Sequence, residues 1–294
     1  MNLAFESLGD ASSSPSGSAT FQGPILALET CGKSATVALE WPSGKIESLA
    51  TTLSIGSAKT LAPHIASILK SNSVSAQELV AIAVTVGPGS FTGLRVGVAT
   101  SKAMAYALKI PVVAVDSLET MAWDVASSIV AKTAAREKQA IQSSEPHFVW
   151  TVLDAYRGQL FAAFWRIQTI ETHFTCEPIV ASKIVDCTTW ADSFFLENIE
   201  QYAYLFHGER PSRNPIWLAG LGIGRCKNLL EIAPRDDLCL LPTLAPHASN
   251  VAKIARQKCI QGETMDAFHL MPVYLRGSAA EEKLDRNTRP MPSQ

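Results

Sequence analysis

Two rhythms of apolar residues run along this chain. Short aliphatic runs at 25–30 (ILALET) and 35–41 (ATVALEW) flank the polar turn CGKS at 31–34. That connection is far too short for a crossover helix, so the first two strands are predicted to form an antiparallel hairpin. Pro42-Ser43-Gly44 marks another turn and KIESLATT (45–52) a third strand. Leu61, Ile65, Ile68 and Leu69 then recur at helical spacing, predicting a helix from about Ser57 to Lys70. LVAIAVTVG (79–87) has the flat apolar profile of a buried parallel strand, and a helix at 91–108 and a strand at 111–116 follow it. The rhythms then repeat less clearly. A helix over 118–138 leads through the polar break QSSEPH (142–147) to strands at 148–155 and 159–167, joined by Tyr156-Arg157-Gly158. Beyond residue 170 the pattern supports only a strand at 216–220, a helix at 246–260 and the closing run PVYLR (272–276).

The opening order β-β-β-α-β-α-β does not fit a Rossmann-type fold, which alternates strand and helix from the start. It suits an actin-like ATPase (ASKHA) architecture, α/β in class, in which a hairpin presents its turn to a phosphate. Two β-rich halves predict two related α/β subdomains, the second degraded. The expected divisions are a disordered tail at 1–23, a first subdomain at 24–120 with partner-binding helices, a second at 121–270, and a C-terminal segment at 271–294 with a flexible end.

The stretch from Val84 to Leu108, VTVGPGSFTGLRVGVATSKAMAYAL, carries the most information. A β-branched run stops at Gly87-Pro88-Gly89, and Ser90 stands where a helix N-cap belongs. Gly93 and Gly97 lie inside the following helix, each costing roughly 1 kcal/mol against alanine. Four residues apart, they share one face and make a strip that another backbone can approach closely. The strip can be covered within the chain or by a partner helix, and we adopt the second reading as the expectation. The predicted partner face combines Phe91, Gly93, Arg95, Val96, Gly97, Thr100, Ser101 and Met104 with Leu61, His64, Ile65 and Ile68. Leucine at 97 is then expected to block pairing and leave the fold intact.

Composition narrows the function. With 47% hydrophobic and 18% charged residues, the chain can build a sizeable core. A net charge of −2 and a pI near 6.3 argue against a dedicated nucleic-acid binder, which is usually basic, but leave room for a local basic patch. The six cysteines (Cys31, Cys176, Cys187, Cys226, Cys239, Cys259) are scattered and do not match zinc-site spacing, so reduced thiols in a cytoplasmic protein are expected. No apolar run reaches the ~18–20 residues that span a bilayer, so no membrane partner is expected.

Several separated blocks point to one family. GPGSFTGLRVGVATSKAMAYAL (87–108), IPVVAVDSLETMA (110–122), LDAYRGQLFAAFW (153–165), APHASNVAKIA (245–255) and PVYLR (272–276) resemble the bacterial TsaB (YeaZ) proteins, in the family's order. The resemblance implies a non-catalytic scaffold that pairs with TsaD as a heterodimer and is joined by the small ATPase TsaE. Together these form N6-threonylcarbamoyladenosine at position 37 of tRNAs reading codons that start with A. It implies tRNA contact through the complex and ATP or ADP only at that level, with no cofactor of the chain's own. The glycoprotease-like label such proteins carry reflects fold. A homodimer is expected when the chain is alone, because the same surface can pair with itself.

The residues allow one alternative, an actin-like-fold small-molecule kinase or hydrolase acting on its own. Its phosphate and nucleotide region would be Glu29, Thr30, Gly32 and Ser34 in the first turn with Gly220, Gly222 and Gly224. Glu29 stands where kinases of this fold keep an aspartate for a hydrated metal, which weakens a catalytic claim. No metal site is expected, since no two histidines are spaced to share a helix face. Ser90 does not meet the G-x-S-x-G pattern and Cys31 is read as inert, so no catalytic residue is assigned. Asp154-Ala155-Tyr156-Arg157-Gly158 reads first as a tight turn, with Tyr156 and Arg157 free to touch a partner or RNA.

Overall fold

The computed structural model describes residues 21–32, 34–50, 57–136, 145–170, 173–190, 215–225 and 238–276. Its first sheet holds β1 (Ile25–Glu29), β2 (Thr36–Glu40), β3 (Ile46–Ala50), β4 (Ala81–Gly87) and β5 (Val112–Asp116), in the order β3-β2-β1-β4-β5. β1 pairs antiparallel with β2, as the short turn requires, and parallel with β4. The second sheet holds β6 (His147–Tyr156), β7 (Gln159–Ile170), β8 (His173–Asp186), β9 (Ile216–Ala219) and β10 (Leu238–Leu241), ordered β10-β9-β6-β7-β8. Counted along the chain, each sheet begins with an antiparallel three-strand meander, and two parallel strands follow on its other side. The predicted duplication is therefore present, strand for strand, among the described residues.

Alternation of side chains gives the inner strands β2, β1 and β4 of the first sheet two buried faces, whereas β3 at its edge is mostly exposed. Leu26, Leu28, Val37 and Leu39 join one core with Leu61, Ile65 and Ile68 of α1 (Ser57–Ser71) and Val98 and Ala105 of α2 (Phe91–Leu108). Ile25, Ala27 and Ala38 join another, covered by Val251, Ile254 and Ala255 of α5 (Ala248–Ile260). The second sheet is covered by α3 (Ser117–Arg136) through Leu118, Met121, Val125 and Ile129. Its other face buries Trp150 and Phe164 against Trp190, just after the single turn α4 (Cys187–Thr189). α5 thus crosses from the second half onto the first half's sheet, while α3 stays with its own. The crossing is tied by Asn250 Nδ2 donating to Thr120 O (3.2 Å) and Ala248 N donating to Thr36 Oγ1 (2.9 Å). α5, inside the predicted second subdomain, packs on the first sheet, so packing does not follow the chain-order division at 120.

Two strands escaped the sequence pattern. β8 is half-exposed along its length and changes register twice against β7, which hides a period of two. β10 is only four residues long. The predicted tail boundary also moves. Phe21 packs beside the first sheet, and Arg256 fixes the segment by donating to Phe21 O and to Gly23 O (2.8 Å). Arg256 also pairs with the buried Glu40 (2.6 Å). The rest of the tail, residues 1–20, lies outside the described residues, as do Lys33, 137–144 and 277–294. No described helix is long and apolar enough to cross a membrane.

Candidate functional site

Glu29 ends β1 pointing into its own turn. Its Oε1 accepts hydrogen bonds from Cys31 N (2.7 Å), Gly32 N (3.2 Å) and Cys31 Sγ (2.6 Å). Backbone N–H groups converging in a turn form a small anion site, and here the chain's own carboxyl fills it. Glu29 is 1% exposed. Burial pushes its carboxyl up to about 7, although the three hydrogen bonds oppose the shift. Burial first, and the Glu29 charge second, push the Cys31 thiol well up, so the thiolate that makes cysteine a nucleophile is disfavoured. Thr30 is also buried, whereas Gly32 is exposed and Ser34 half-buried.

The glycine-rich loop closes this turn from the outside. Ser90 N donates to Cys31 O (2.9 Å), and Ser90 Oγ caps α2 by accepting from Gly93 N (3.3 Å). A Cβ on Gly89 would lie 2.4 Å from Cys31 Cβ, one on Gly93 1.9 Å from Thr30 O, and one on Gly97 2.2 Å from Thr30 Oγ1. This corrects the predicted partner strip. Gly93, Gly97 and Ser101 are buried, and what approaches the two glycines is Thr30, at the start of the β1–β2 turn of the same chain. Leu61, Ile65 and Ile68 are likewise core residues. The spacing identified a close backbone approach correctly but not the side from which it comes. Leucine at 97 must disrupt the fold as well as any pairing.

The other predicted face residues reach the surface to different degrees. Arg95 is exposed, while His64, Phe91, Val96, Thr100 and Met104 are half-buried. The exposed sides of α1 and α2 include small residues, Ala62, Ala66 and Ser67 on one and Ala99 and Ala103 on the other, beside the larger Arg95 and Tyr106. A strap that the sequence did not reveal runs beside α2. Lys102 Nζ donates to Phe268 O (3.1 Å) and Leu270 O (3.2 Å), and Val273 N donates to Val86 O (2.7 Å). Tyr274 stacks near Phe91 (4.6 Å between centroids) and accepts from Arg95 Nε (3.0 Å). The segment 271–276 is thus packed rather than free.

The second hairpin is built differently. Tyr156, Arg157 and Gly158 have φ of 61°, 55° and 76°, three consecutive left-handed residues of which only the last is glycine. Asp154 Oδ1 accepts from Tyr156 N (2.8 Å) and its Oδ2 from Arg225 Nε (2.8 Å). Gly220 and Gly222 pack against this strand. A Cβ at 220 would lie 2.0 Å from Val152 O, and one at 222 would meet Leu153 at 3.0 Å. Gly224 faces open space. These glycines let the chain cross closely over β6.

Elsewhere, a cavity of about 520 Å3 opens between α3, β8 and α5, lined by Asp116, Glu119, Trp123, Cys176, Ser182 and Lys258. Burial raises the Asp116 carboxyl to about 6, with Ser182 donating to it (2.5 Å), and Lys258 pairs with Glu119 (3.1 Å). Among the described residues no group of three or more His, Cys, Asp or Glu side chains is arranged to hold a metal. Cys31, Cys176, Cys239 and Cys259 are free thiols. Cys187 is disulfide-bonded, which corrects the expectation of reduced thiols at that position; Cys226 lies outside the described residues.

With that geometry in place, comparison with known proteins is informative. Residues 52–283 match the family described as TsaD: tRNA N6-adenosine threonylcarbamoyltransferase. The tRNA threonylcarbamoyladenosine biosynthesis protein TsaB of Escherichia coli is 28% identical over 88% of this chain and 97% of its own length. The protein of that name from Bacillus subtilis is 26% identical over 88% of this chain and 96% of its own. The structure of YeaZ from Pseudomonas aeruginosa superposes with a TM-score of 0.60 at 25% identity, covering 86% of this chain and all of that one.

Proposed function

The chain belongs to the TsaD family, among its TsaB (YeaZ) members, and from that premise we propose that it is a non-catalytic subunit of tRNA threonylcarbamoyladenosine biosynthesis. It pairs with TsaD, TsaE joins the pair, and the complex forms N6-threonylcarbamoyladenosine at position 37 of tRNAs reading codons that start with A. The observation that carries the non-catalytic part is Glu29. The turn that would cradle a phosphate has its Cys31 and Gly32 N–H groups bonded to a buried carboxyl of the chain itself. A nucleotide phosphate would have to displace that carboxyl and also the glycine-rich loop bonded to Cys31 O. The kinase-like alternative gains nothing from this arrangement.

The pairing surface is the outward side of α1 and α2. Ala62, Ala66, Ala99 and Ala103 permit close helix approach there, with Arg95 and the half-buried Phe91, Val96 and Met104 at its border. Reconstituted threonylcarbamoylation, with and without the chain, tests the role. Omission is expected to abolish product, while the chain alone turns over no ATP. Undiminished product on omission, or ATP turnover by the chain alone, would overturn the reading. Ala99→Trp and Ala103→Trp are expected to weaken TsaD binding with no loss of monomer stability.

A further inference from the structure

We propose that Arg95, held against the rings of Phe91 and Tyr274, is the seat for a carboxylate on the partner that packs on α1 and α2. The face thereby favours an acidic partner over a second copy of the chain. This seat presupposes the pairing with TsaD and names what TsaD brings to it. The Arg95 guanidinium carbon lies 4.0 Å from the centroid of the Phe91 ring and 5.8 Å from that of Tyr274. The two rings are themselves in contact, with centroids 4.6 Å apart. Arg95 Nε donates to the Tyr274 hydroxyl (3.0 Å), which fixes the plane of the fork. Arg95 is exposed, and among the described residues no carboxylate pairs with it. The Nε edge is thus spent, while the two Nη groups remain for the bidentate, end-on geometry that a carboxylate fits. Ordering an arginine before its partner arrives removes part of the entropy cost of binding.

Charge and the surrounding surface decide between occupants. α1 and α2 carry Lys59, Lys70, Arg95 and Lys102 and no Asp or Glu, although the whole chain has a net charge of −2. Lys102 donates to the Phe268 and Leu270 carbonyls, which hold it without cancelling its charge. Asp266, the acid of the strap, is bonded to Phe268 N (2.7 Å). Two copies meeting through α2 would bring these cations together, and like charges across an interface oppose pairing. The surface that continues from Arg95 is apolar, with Ala99 and Ala103 on α2 and Met271 and Val273, 65% and 47% exposed, on the strap. Contiguous exposed apolar surface marks a protein contact, and Arg and Tyr are among the residues that dominate such contacts. A phosphate strand calls for a row of cations, whereas one guanidinium in apolar surroundings matches a helical partner that carries a carboxylate.

The test measures binding of the full chain to TsaD by calorimetry, beside the thermal midpoint of each variant and self-association by sedimentation. Arg95→Glu is expected to weaken TsaD binding about thirtyfold or more, with the midpoint shifted by less than about 4 °C. Arg95→Lys keeps the charge without the planar fork, and its affinity is expected to fall between the two. Replacing the Asp and Glu residues of TsaD's paired surface by Arg, one at a time, is expected to yield a substitution that restores binding to Arg95→Glu. The parent chain is expected to bind itself more weakly than it binds TsaD. Unchanged TsaD affinity in Arg95→Glu, no restoring substitution, or self-association tighter than TsaD binding would each overturn the seat. Binding and midpoint falling together would overturn it too, by making Arg95 a brace for the strap. So would loss of tRNA binding with TsaD affinity kept, which assigns the guanidinium to a phosphate. Product formation that needs the chain, with TsaD affinity unchanged in Arg95→Glu, removes this seat and leaves the proposed role standing. TsaD bound through Arg95, with product independent of the chain, does the reverse.

Discussion

The two hairpins occupy equivalent places in the duplicated sheets, and they have opposite characters. At the end of β1 the acidic side chain folds back into its turn, is sealed from solvent, and lies under the start of α2. At the end of β6 the acidic side chain is half-buried, pairs with Arg225, and leaves Tyr156 and Arg157 exposed. One turn is anchored in the core through Glu29, Thr30 and Cys31, and the other stands at the surface. The same strand order therefore fixes where a turn sits but not what it can meet. That is decided by what packs over it, glycines of α2 in the first case and the strap's Arg276 in the second.

The largest expected effect comes from forcing the closed turn open. Gly93→Leu places a side chain on Thr30 O and should cost about 3 kcal/mol or more, measured by urea unfolding. Gly224→Ala, by contrast, adds a methyl where nothing lies within 4 Å and should change stability by less than about 0.5 kcal/mol. Next is the buried carboxyl. The folded pKa of Glu29 is raised to about 7 from the ordinary 4.5. The native state therefore keeps its proton while the unfolded chain releases it. The contribution of Glu29 to stability is fully present below about pH 4.5 and is lost as pH rises to about 7, by about 3 kcal/mol in total. Glu29→Gln should remove that part of the slope, and Asp116, raised to about 6, leaves a separate fall that ends lower on the pH axis. Denaturant midpoints across this pH range check both. A smaller effect than that of Glu29 is expected at the open turn, where Arg157→Asn alone should stabilise the chain by about 0.5–1 kcal/mol.

Much of the first half was legible in the sequence because its signals are local. The hairpin follows from a four-residue polar gap, and the bounds of α2 follow from Ser90 and the apolar period. What periodicity cannot supply is direction. It put Gly93 and Gly97 on one face, but only the packing of α2 over Thr30 shows that this face points inward. Nor could spacing bring Arg225 and Arg276 to the Asp154–Gly158 turn, since they arrive from distant segments. The sequence places Glu29 in a phosphate and nucleotide region, as a departure from the aspartate that kinases of this fold keep there. That Glu29 accepts from the Cys31 and Gly32 N–H groups depends on the turn's geometry, to which composition is blind.

The central claim is that Glu29 fills its own turn and takes no part in chemistry. Threonylcarbamoyladenosine formation on tRNA, reconstituted with TsaD, TsaE and either the parent chain or Glu29→Gln, tests it most directly. The account predicts equal product from the two, provided that the variant is folded and paired with TsaD. Product lost with a folded, paired Glu29→Gln would contradict it and make that carboxyl part of the reaction.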